Sequence, residues 1–486
     1  MKDWSQKCLL SLLFLFLLMA TGYSYTLEVD KPFKVNIKFR EEVRSESWWT
    51  FDKPGIDDSY TFLSSKMRLG LGINSRLIDG FLQFHWTQFF NLPDDAGFGT
   101  GALYYGQNRG PDLWSDPDSS VGYGAISQAW IRLKCPNVQG LSLLGGRYIY
   151  NSGLEAAPKN PTLKWLRKLR ISQRLIGGFE WSRVGRSFDG IQLVYDQPLY
   201  NITINAMHPT PGGFYLRRDD PTYRGYDIHD VDIVTVSATL KDSYIEGLDA
   251  QVFYYYYNDE RGTAGDRDPE IHNIGGHILY TAEAGPGAFD FLFWGVYQWG
   301  SYDGLDHDAY GIAVEAGYKF KDLPWQPWFR IGYWYGSGDD DPTDSDHETF
   351  FMMIPTLRIY AFTPFYNLMN TEYFFGQVIF KPHPKVVVRS DLHYLMLTEE
   401  DDAWYLGSGI TRPDLFGYVG KPSGGDDDLA TMWDISIFIK DLYEYNGVKL
   451  GLNLYYSHVW GDDVIENNFP KDEDMDFFYA EAVITF

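Results

Sequence analysis

Apolar side chains recur at every second position through segments of about ten residues along this chain, the spacing of a tilted strand that crosses a lipid bilayer. Phe33, Val35, Ile37, Phe39 and Val43 share one face, with Glu41 as the exception, while Lys34, Asn36, Lys38, Arg40 and Glu42 take the other. From Tyr310 to Phe320 the apolar set is Tyr310, Ile312, Val314, Ala316, Tyr318 and Phe320, against Gly311, Ala313, Glu315, Gly317 and Lys319. Val448, Leu450, Leu452, Leu454 and Tyr456 repeat the pattern against Lys449, Gly451, Asn453 and Tyr455. A β-sandwich also alternates, but its outward face is the polar one. Here the faces opposite the apolar sets mix small residues with charges, which suits a wet lumen. Nothing after Ser24 reaches 18 consecutive apolar residues, so transmembrane helices are excluded.

The pattern predicts an all-β fold: a transmembrane, antiparallel, up-and-down β-barrel of about 18 strands with long extracellular loops. Thirty-six Tyr, 33 Phe, 16 Trp and 48 Gly fit that class better than the competing secreted sandwich or propeller. Short connections such as Asn74–Gly80 and Asp196–Tyr200 read as periplasmic turns. Asn91–Gly122, His208–His229, Asp259–Glu270, Gly336–Thr349, Glu399–Asp428 and Gly461–Asp474 read as extracellular loops. Among the aromatics, Tyr254–Tyr257, Trp294, Trp299, Trp325, Trp328 and Trp334 are expected mainly as interfacial anchors. No linker divides the chain, so the domains are a signal peptide at 1–24 and one barrel at 25–486.

The signal peptide follows from Lys2 and Lys7, the apolar run from Leu9 to Met19, and small residues Ala20, Gly22 and Ser24 at candidate cleavage sites. Removing it leaves Cys135 as the lone thiol, so the fold holds without a disulfide. At the other end, Phe478, Ala480, Ala482, Ile484 and Phe486 line one face of a last strand. A strand closing on a terminal aromatic resembles the sorting signal of bacterial outer-membrane barrels, and it implies the barrel-assembly machinery as a partner through Phe486. Outer-membrane lipid and lipopolysaccharide are the other expected partners.

Charge narrows the function. A net charge of −25 repels phosphates, which argues against nucleic acid. The acids gather in loops: Asp339–Asp341 with Asp344 and Asp346, Glu399–Asp402, Asp426–Asp428, Asp462–Asp463 and Asp472–Asp476. Their spacing lacks the Gly and terminal Glu of an EF-hand, so they read as solvated faces. Basic residues recur within strands instead, on the face assigned to the lumen: Arg40, Arg68, Arg147, Arg186, Arg330 and Arg389 among them. Facing lipid, each costs about 2–4 kcal/mol at the midplane, which forces most of them inward. Such a ladder favours anions and matches carboxylates bidentately. Inward acids such as Glu42, Asp189, Glu315, Asp391 and Glu481 are the expected counter-charges. No Gly-x-Ser-x-Gly elbow, His-Glu-x-x-His or paired-Cys motif is present, so neither an enzyme nor a cofactor is expected.

Four motifs add a family. Ser127-Gln-Ala-Trp130, then Gly145-Gly-Arg147, then Gln173-Arg-Leu-Ile-Gly-Gly-Phe-Glu-Trp181, then Gly185-Arg-Ser-Phe-Asp-Gly190 resemble the alginate-export family of outer-membrane porins. Ser337-Gly-Asp-Asp-Asp341 before His347-Glu-Thr-Phe350 is similar to its long loop. The resemblance implies an 18-stranded barrel with an Arg-rich constriction shaped partly by loops entering the lumen. Arg147, Arg174, Arg186 and Asp189 map onto its motifs, with Arg40 and Arg68 as early-strand counterparts. The chain departs from the pattern at Tyr148, commonly Gln, and in the unusually basic Lys164–Arg174. The resulting expectation is a channel passing an anionic, alginate-like polysaccharide or a carboxylate-bearing solute, working with periplasmic polysaccharide-export partners. The alternatives are a general small-solute porin and a plugged structural or adhesive barrel.

Overall fold

The computed structural model describes residues 34–52, 59–93, 120, 122–183, 185–210, 231–260, 269–356, 358–407 and 418–486, with a short strand at Leu27–Glu28. The expected signal peptide lies outside the described residues. Eighteen antiparallel strands form the wall. They are β1 Lys34–Trp49, β2 Ser59–Asn74, β3 Ile78–Phe90, β4 Gly122–Lys134, β5 Leu141–Tyr148 and β6 Phe188–Asp196. Then come β7 Tyr200–Pro209, β8 Val231–Leu240, β9 Leu248–Asp259, β10 Glu270–Ala284, β11 Gly287–Tyr302 and β12 Leu305–Phe320. The last six are β13 Trp328–Gly336, β14 Thr371–His383, β15 Val386–Met396, β16 Asp428–Tyr445, β17 Val448–Gly461 and β18 Met475–Thr485.

Each strand pairs with its sequence neighbour, and β18 pairs with β1 from Arg40↔Thr485 to Trp49↔Asp476. Phe39 and Phe486 exchange backbone hydrogen bonds at 3.1 and 3.2 Å, and their rings stack at 5.1 Å. Closure is required because no water reaches the hydrocarbon to satisfy an open edge. Residues 75–77, 197–199, 285–286, 384–385 and 446–447 are tight turns at one rim, the periplasmic one, while long loops rise from the other.

The alternation read from sequence sets the two faces. Leu71, Ile131, Val252 and Ile331 project outward toward lipid, the last two 66% and 68% exposed. Glu41, the exception on the outward face of β1, accepts a 2.5 Å hydrogen bond from Ser65 on β2. Near the extracellular strand ends, outward tyrosine hydroxyls donate to carboxylates: Tyr297 to Asp308 at 2.6 Å, Tyr333 to Glu372 at 2.7 Å, Tyr394 to Asp428 at 2.7 Å and Tyr456 to Asp476 at 2.6 Å. Such rings suit an interface where one end is apolar and the other wet. Of the expected anchors, Tyr254, Tyr256 and Trp299 sit on this outer face, and Trp325 is exposed in a periplasmic turn. Tyr255, Tyr257, Trp294, Trp328 and Trp334 turn inward and are buried, because the interior contains enough protein to cover them.

That protein comes from three long connections: L3 (149–187), L7 (337–370) and L8 (397–427). The loop expected over Gly336–Thr349 continues to residue 370, since Phe350-Phe-Met-Met-Ile354 packs inside the barrel rather than joining its wall. L8 holds a hairpin, Ala403–Gly407 with Tyr418–Pro422. Within L3, α1 (Pro161–Leu166) starts where the Asn160 side chain accepts from the Thr162 and Leu163 amides, with Pro161 supplying a pre-set φ at the first helical position.

A candidate functional site where two loops meet inside the barrel

L3 crosses the bore, and buried arginines fix it to the wall at three stations. Arg167, on the π-helical turn Arg167–Ile171 that follows α1, donates to both Asp249 oxygens on β9 at 2.8 and 2.9 Å. Arg170 spans Glu315 on β12 at 2.9 and 3.0 Å and donates to the Ile359 carbonyl of L7 at 3.1 Å. Arg183 donates to Glu42 on β1 at 3.1 Å and Glu481 on β18 at 3.0 Å. In an 18-strand ring β9 stands opposite β18 and β1, so L3 spans the diameter. L7 runs alongside, joined by Gly177 N to Ile354 O, Ile354 N to Leu175 O and Thr356 N to Gln173 O at 2.9–3.0 Å.

Of the seven arginines expected in the lumen from sequence, six lie inside the barrel and fall into two groups. Arg174, Arg330 and Arg389 are structural ties. Arg174 belongs to L3, with its Nη2 3.0 Å from the Tyr360 hydroxyl and 3.6 Å from Glu315. Arg330 shares Glu315 at 2.8 Å and pairs with Asp290, which also accepts from Trp328 Nε1 at 2.7 Å. Arg389 lies 2.9 Å from Asp391 and donates to the Tyr360 carbonyl at 3.1 Å. Arg40, Arg68 and Arg186 stand nearer open lumen or at the loop junction. Arg40 is half-exposed toward the periplasmic mouth, 2.5 Å from Glu42. Arg68 donates to Glu180 at 2.7 Å, and Arg186 Nη2 to the Pro355 carbonyl at 3.3 Å.

Arg147 and Asp189 correct the luminal assignment. They pair bidentately at 2.6 and 2.7 Å, but in register with each other on the face that carries Leu143 and Ile191, which points out of the barrel. Tyr148 is the inward residue, its hydroxyl 3.1 Å from Asn205. The reason is depth. Both charges lie at the extracellular ends of their strands, where the cost of an outward charge falls to about 0–1 kcal/mol, and each neutralises the other.

Sequence reasoning missed Arg167, Arg170, Arg183 and Arg358. The signal was the basic stretch Lys164–Arg174 in an acidic chain: Arg167, Arg170 and Arg174 recur three and four residues apart, the spacing of one helical face. Arg358 on L7 sits 3.7 Å over the Trp181 ring and 5.2 Å from Phe179 of L3, with Arg186 5.9 Å from the same Phe179. The L3–L7 junction is therefore built of cations on aromatic faces.

On the β10–β17 side, inward side chains such as Asn273, Gln298 and Tyr373 are buried beneath L7 and L8. On the other side, partly accessible side chains line the lower bore. Trp130 lies between Phe81, ring centroids 6.0 Å apart, and the Arg132 guanidinium at 5.7 Å. Gln83 and Gln128 are joined at 3.1 Å, and Arg132 donates to Gln192 at 3.2 Å. Beneath L3 a polar cavity of about 500 Å³ opens among Arg132, Asn151, Glu155, Gln192, Asn201, Thr203 and Lys241. On the extracellular side L7 meets L8 through Asp402, which accepts from the Asp339 amide at 3.1 Å and the Thr349 hydroxyl at 2.6 Å. Burial and the neighbouring Asp402 charge push the Asp339 carboxyl up to about 6.

A closed 18-strand wall with inward-folded loops defines an outer-membrane channel of the porin type. The sequence profile for alginate export matches residues 30–477, and the chain belongs to that family. Similar solved structures share the fold at low identity. Acinetobacter baumannii OccAB1 superposes with a TM-score of 0.59 at 9% identity, covering 93% of this chain and 97% of that one. A. baumannii OccAB2 gives 0.57 at 12%, covering 93% and 98%. Pseudomonas aeruginosa OpdK with vanillate gives 0.53 at 9%, again covering 93% and 98%. No curated protein sequence matches the chain significantly. Its place is the bacterial outer membrane.

Proposed function

We propose that this channel passes an anionic polysaccharide of the alginate type, or smaller carboxylate-bearing solutes, past arginines set where L3 and L7 meet. The supporting observation is that Arg186 and Arg358 stand over the Phe179 and Trp181 rings while Arg68 pairs with Glu180 between those two residues. Guanidinium forks match carboxylates geometrically, and a low-dielectric wall focuses their positive potential across the bore. Aromatic faces beside them hold the cations in place. Export of a polymer would also engage periplasmic partners at the short-turn rim, with lipopolysaccharide packed around the outer tyrosine ring.

Reversal potentials in planar bilayers under a salt gradient test the reading. Wild type is expected to prefer anions, and Arg68→Glu and Arg186→Glu to shift the potential toward cations; a cation-selective wild type refutes it. A second reading, diffusion of small neutral solutes, draws support from the amide-rich cavity beneath L3. It predicts liposome swelling with simple sugars that is indifferent to those two substitutions.

A further inference from the structure

Asp391 and His393 on β15 face inward two residues apart, and strand register sets Gln377 of β14 and Asp434 of β16 on either side of Asp391. The four are 4% exposed or less. His393 Nε2 lies 3.0 Å from an Asp434 oxygen, and one ligand atom each from Asp391, His393 and Asp434 falls within 4.8 Å of the others. His393 Nδ1 is already engaged by the Tyr373 hydroxyl, which fixes the ring and aims Nε2 at the carboxylates.

The polar atoms here are under-satisfied. Both Asp391 oxygens, one Asp434 oxygen, and the oxygen and nitrogen of the Gln377 amide are buried without a well-directed hydrogen bond; Asp391 faces Gln377 and the Arg389 guanidinium. Arg389 is the cation in contact, 2.9 Å from Asp391 and 3.9 Å from Asp434. The contacting guanidinium offsets one of two carboxylates, while Arg170 reaches them only from farther off and is itself paired with Glu315, and a buried charge so thinly compensated is costly. Orphaned buried oxygens around a residual negative charge are what an ion-binding site leaves when its ion is removed.

We propose that Asp391, His393 and Asp434, with Gln377 Oε1 as a fourth donor, bind a divalent first-row transition ion such as Zn²⁺. One imidazole nitrogen with carboxylate and amide oxygens is a donor set such ions accept. Metal–ligand bonds of about 2.0–2.2 Å in a tetrahedral shell set donors roughly 3.3–3.6 Å apart; His393 Nε2 and the Asp434 oxygen stand 3.0 Å apart, and no pair of the three ligand atoms is separated by more than 4.8 Å. The ion completes the wall behind L7, where Arg389 already reaches the Tyr360 carbonyl. The site stands whatever solute the channel carries.

The test loads the full-length barrel in detergent with Zn²⁺, removes free metal, and counts bound metal by mass spectrometry. Wild type is expected to retain one equivalent more than Asp434→Asn, with heat-modifiable gel mobility verifying that the variant is folded. Gln377→Leu, which keeps both carboxylates, is expected to weaken Zn²⁺ binding measurably. Tyr373→Phe, acting only through the orientation of His393, is expected to weaken it about 10–100-fold. Equal metal content in wild type and Asp434→Asn overturns the proposal. So does a wild type that retains no Zn²⁺, in which case a proton neutralises the second carboxylate.

Discussion

Replacing Glu315 with alanine is expected to free the middle of L3 while leaving the barrel closed. Its carboxylate is shared by Arg170 at 2.9 Å, Arg330 at 2.8 Å and Arg174 at 3.6 Å, all of them buried. Removing one partner of a buried pair costs about 3–5 kcal/mol, because the charge left behind is stranded. The three contacts share one group, so their losses do not sum. Taking about 3 kcal/mol, and about 1.4 kcal/mol per tenfold, the opening equilibrium of L3 rises roughly 100-fold. Hydrogen exchange over residues 161–175, compared with strand β12 as an internal reference, reads this directly. Single-channel traces are expected to become noisier in step. Glu315→Gln keeps hydrogen-bond acceptance but not charge, and is expected to fall between. As a control, breaking the exposed Lys321–Glu283 pair is expected to change stability by less than about 1 kcal/mol. Unchanged protection of 161–175 refutes the reasoning, and so does equal loss of protection in β12, which would make the effect global.

Other expectations follow from the same geometry. Arg147→Ala is expected to leave ion selectivity unchanged and to cost no more than about 1 kcal/mol in heat-modifiability assays, because its pair with Asp189 is part-exposed on the outer rim. Gly146 has φ +123°, and a Cβ there would stand 2.3 Å from the Ala129 carbonyl oxygen; Gly146→Ala is expected to prise β4 from β5 and cost about 1–3 kcal/mol, read as a lower melting midpoint. Asp339 titrates higher in the folded protein than its ordinary value of 3.8, so the folded state gains protons relative to the unfolded one. The L7–L8 contact is therefore expected to tighten as pH falls through about 6, with protection factors over 337–349, corrected for the intrinsic pH dependence of amide exchange, higher at pH 5 than at pH 7 and that difference abolished in Asp339→Asn.

The wall was legible because period two is local. Phe33 to Val43, Tyr310 to Phe320 and Val448 to Tyr456 each assign their own faces without knowledge of any partner strand. The same rule, applied to β5, would have placed Arg147 correctly: counting back in twos reaches Gly145, Leu143 and Leu141, an outward series. The error came from treating every strand charge as if it lay at the midplane. The interior was illegible for a different reason. Arg183 meets Glu481 across 298 positions of sequence, and Gly177 meets Ile354 across 177. No periodicity encodes such contacts, so Phe350–Ile354 reads as strand until its packing inside the bore is seen. The basic run at Lys164–Arg174 marked the region without saying where its charges end.

Arg183 touches the first strand and the last at once. Glu42 and Glu481 become neighbours only after the newest part of the chain has docked against the oldest, so the socket for L3 does not exist on any growing or half-inserted sheet. A polypeptide stalled before its final hairpin would present a guanidinium with nowhere to go and a bore without its divider. Seating of the mid-chain loop is thus tied to completion of the ring, and a pore with an ordered interior is by construction one whose ends have met.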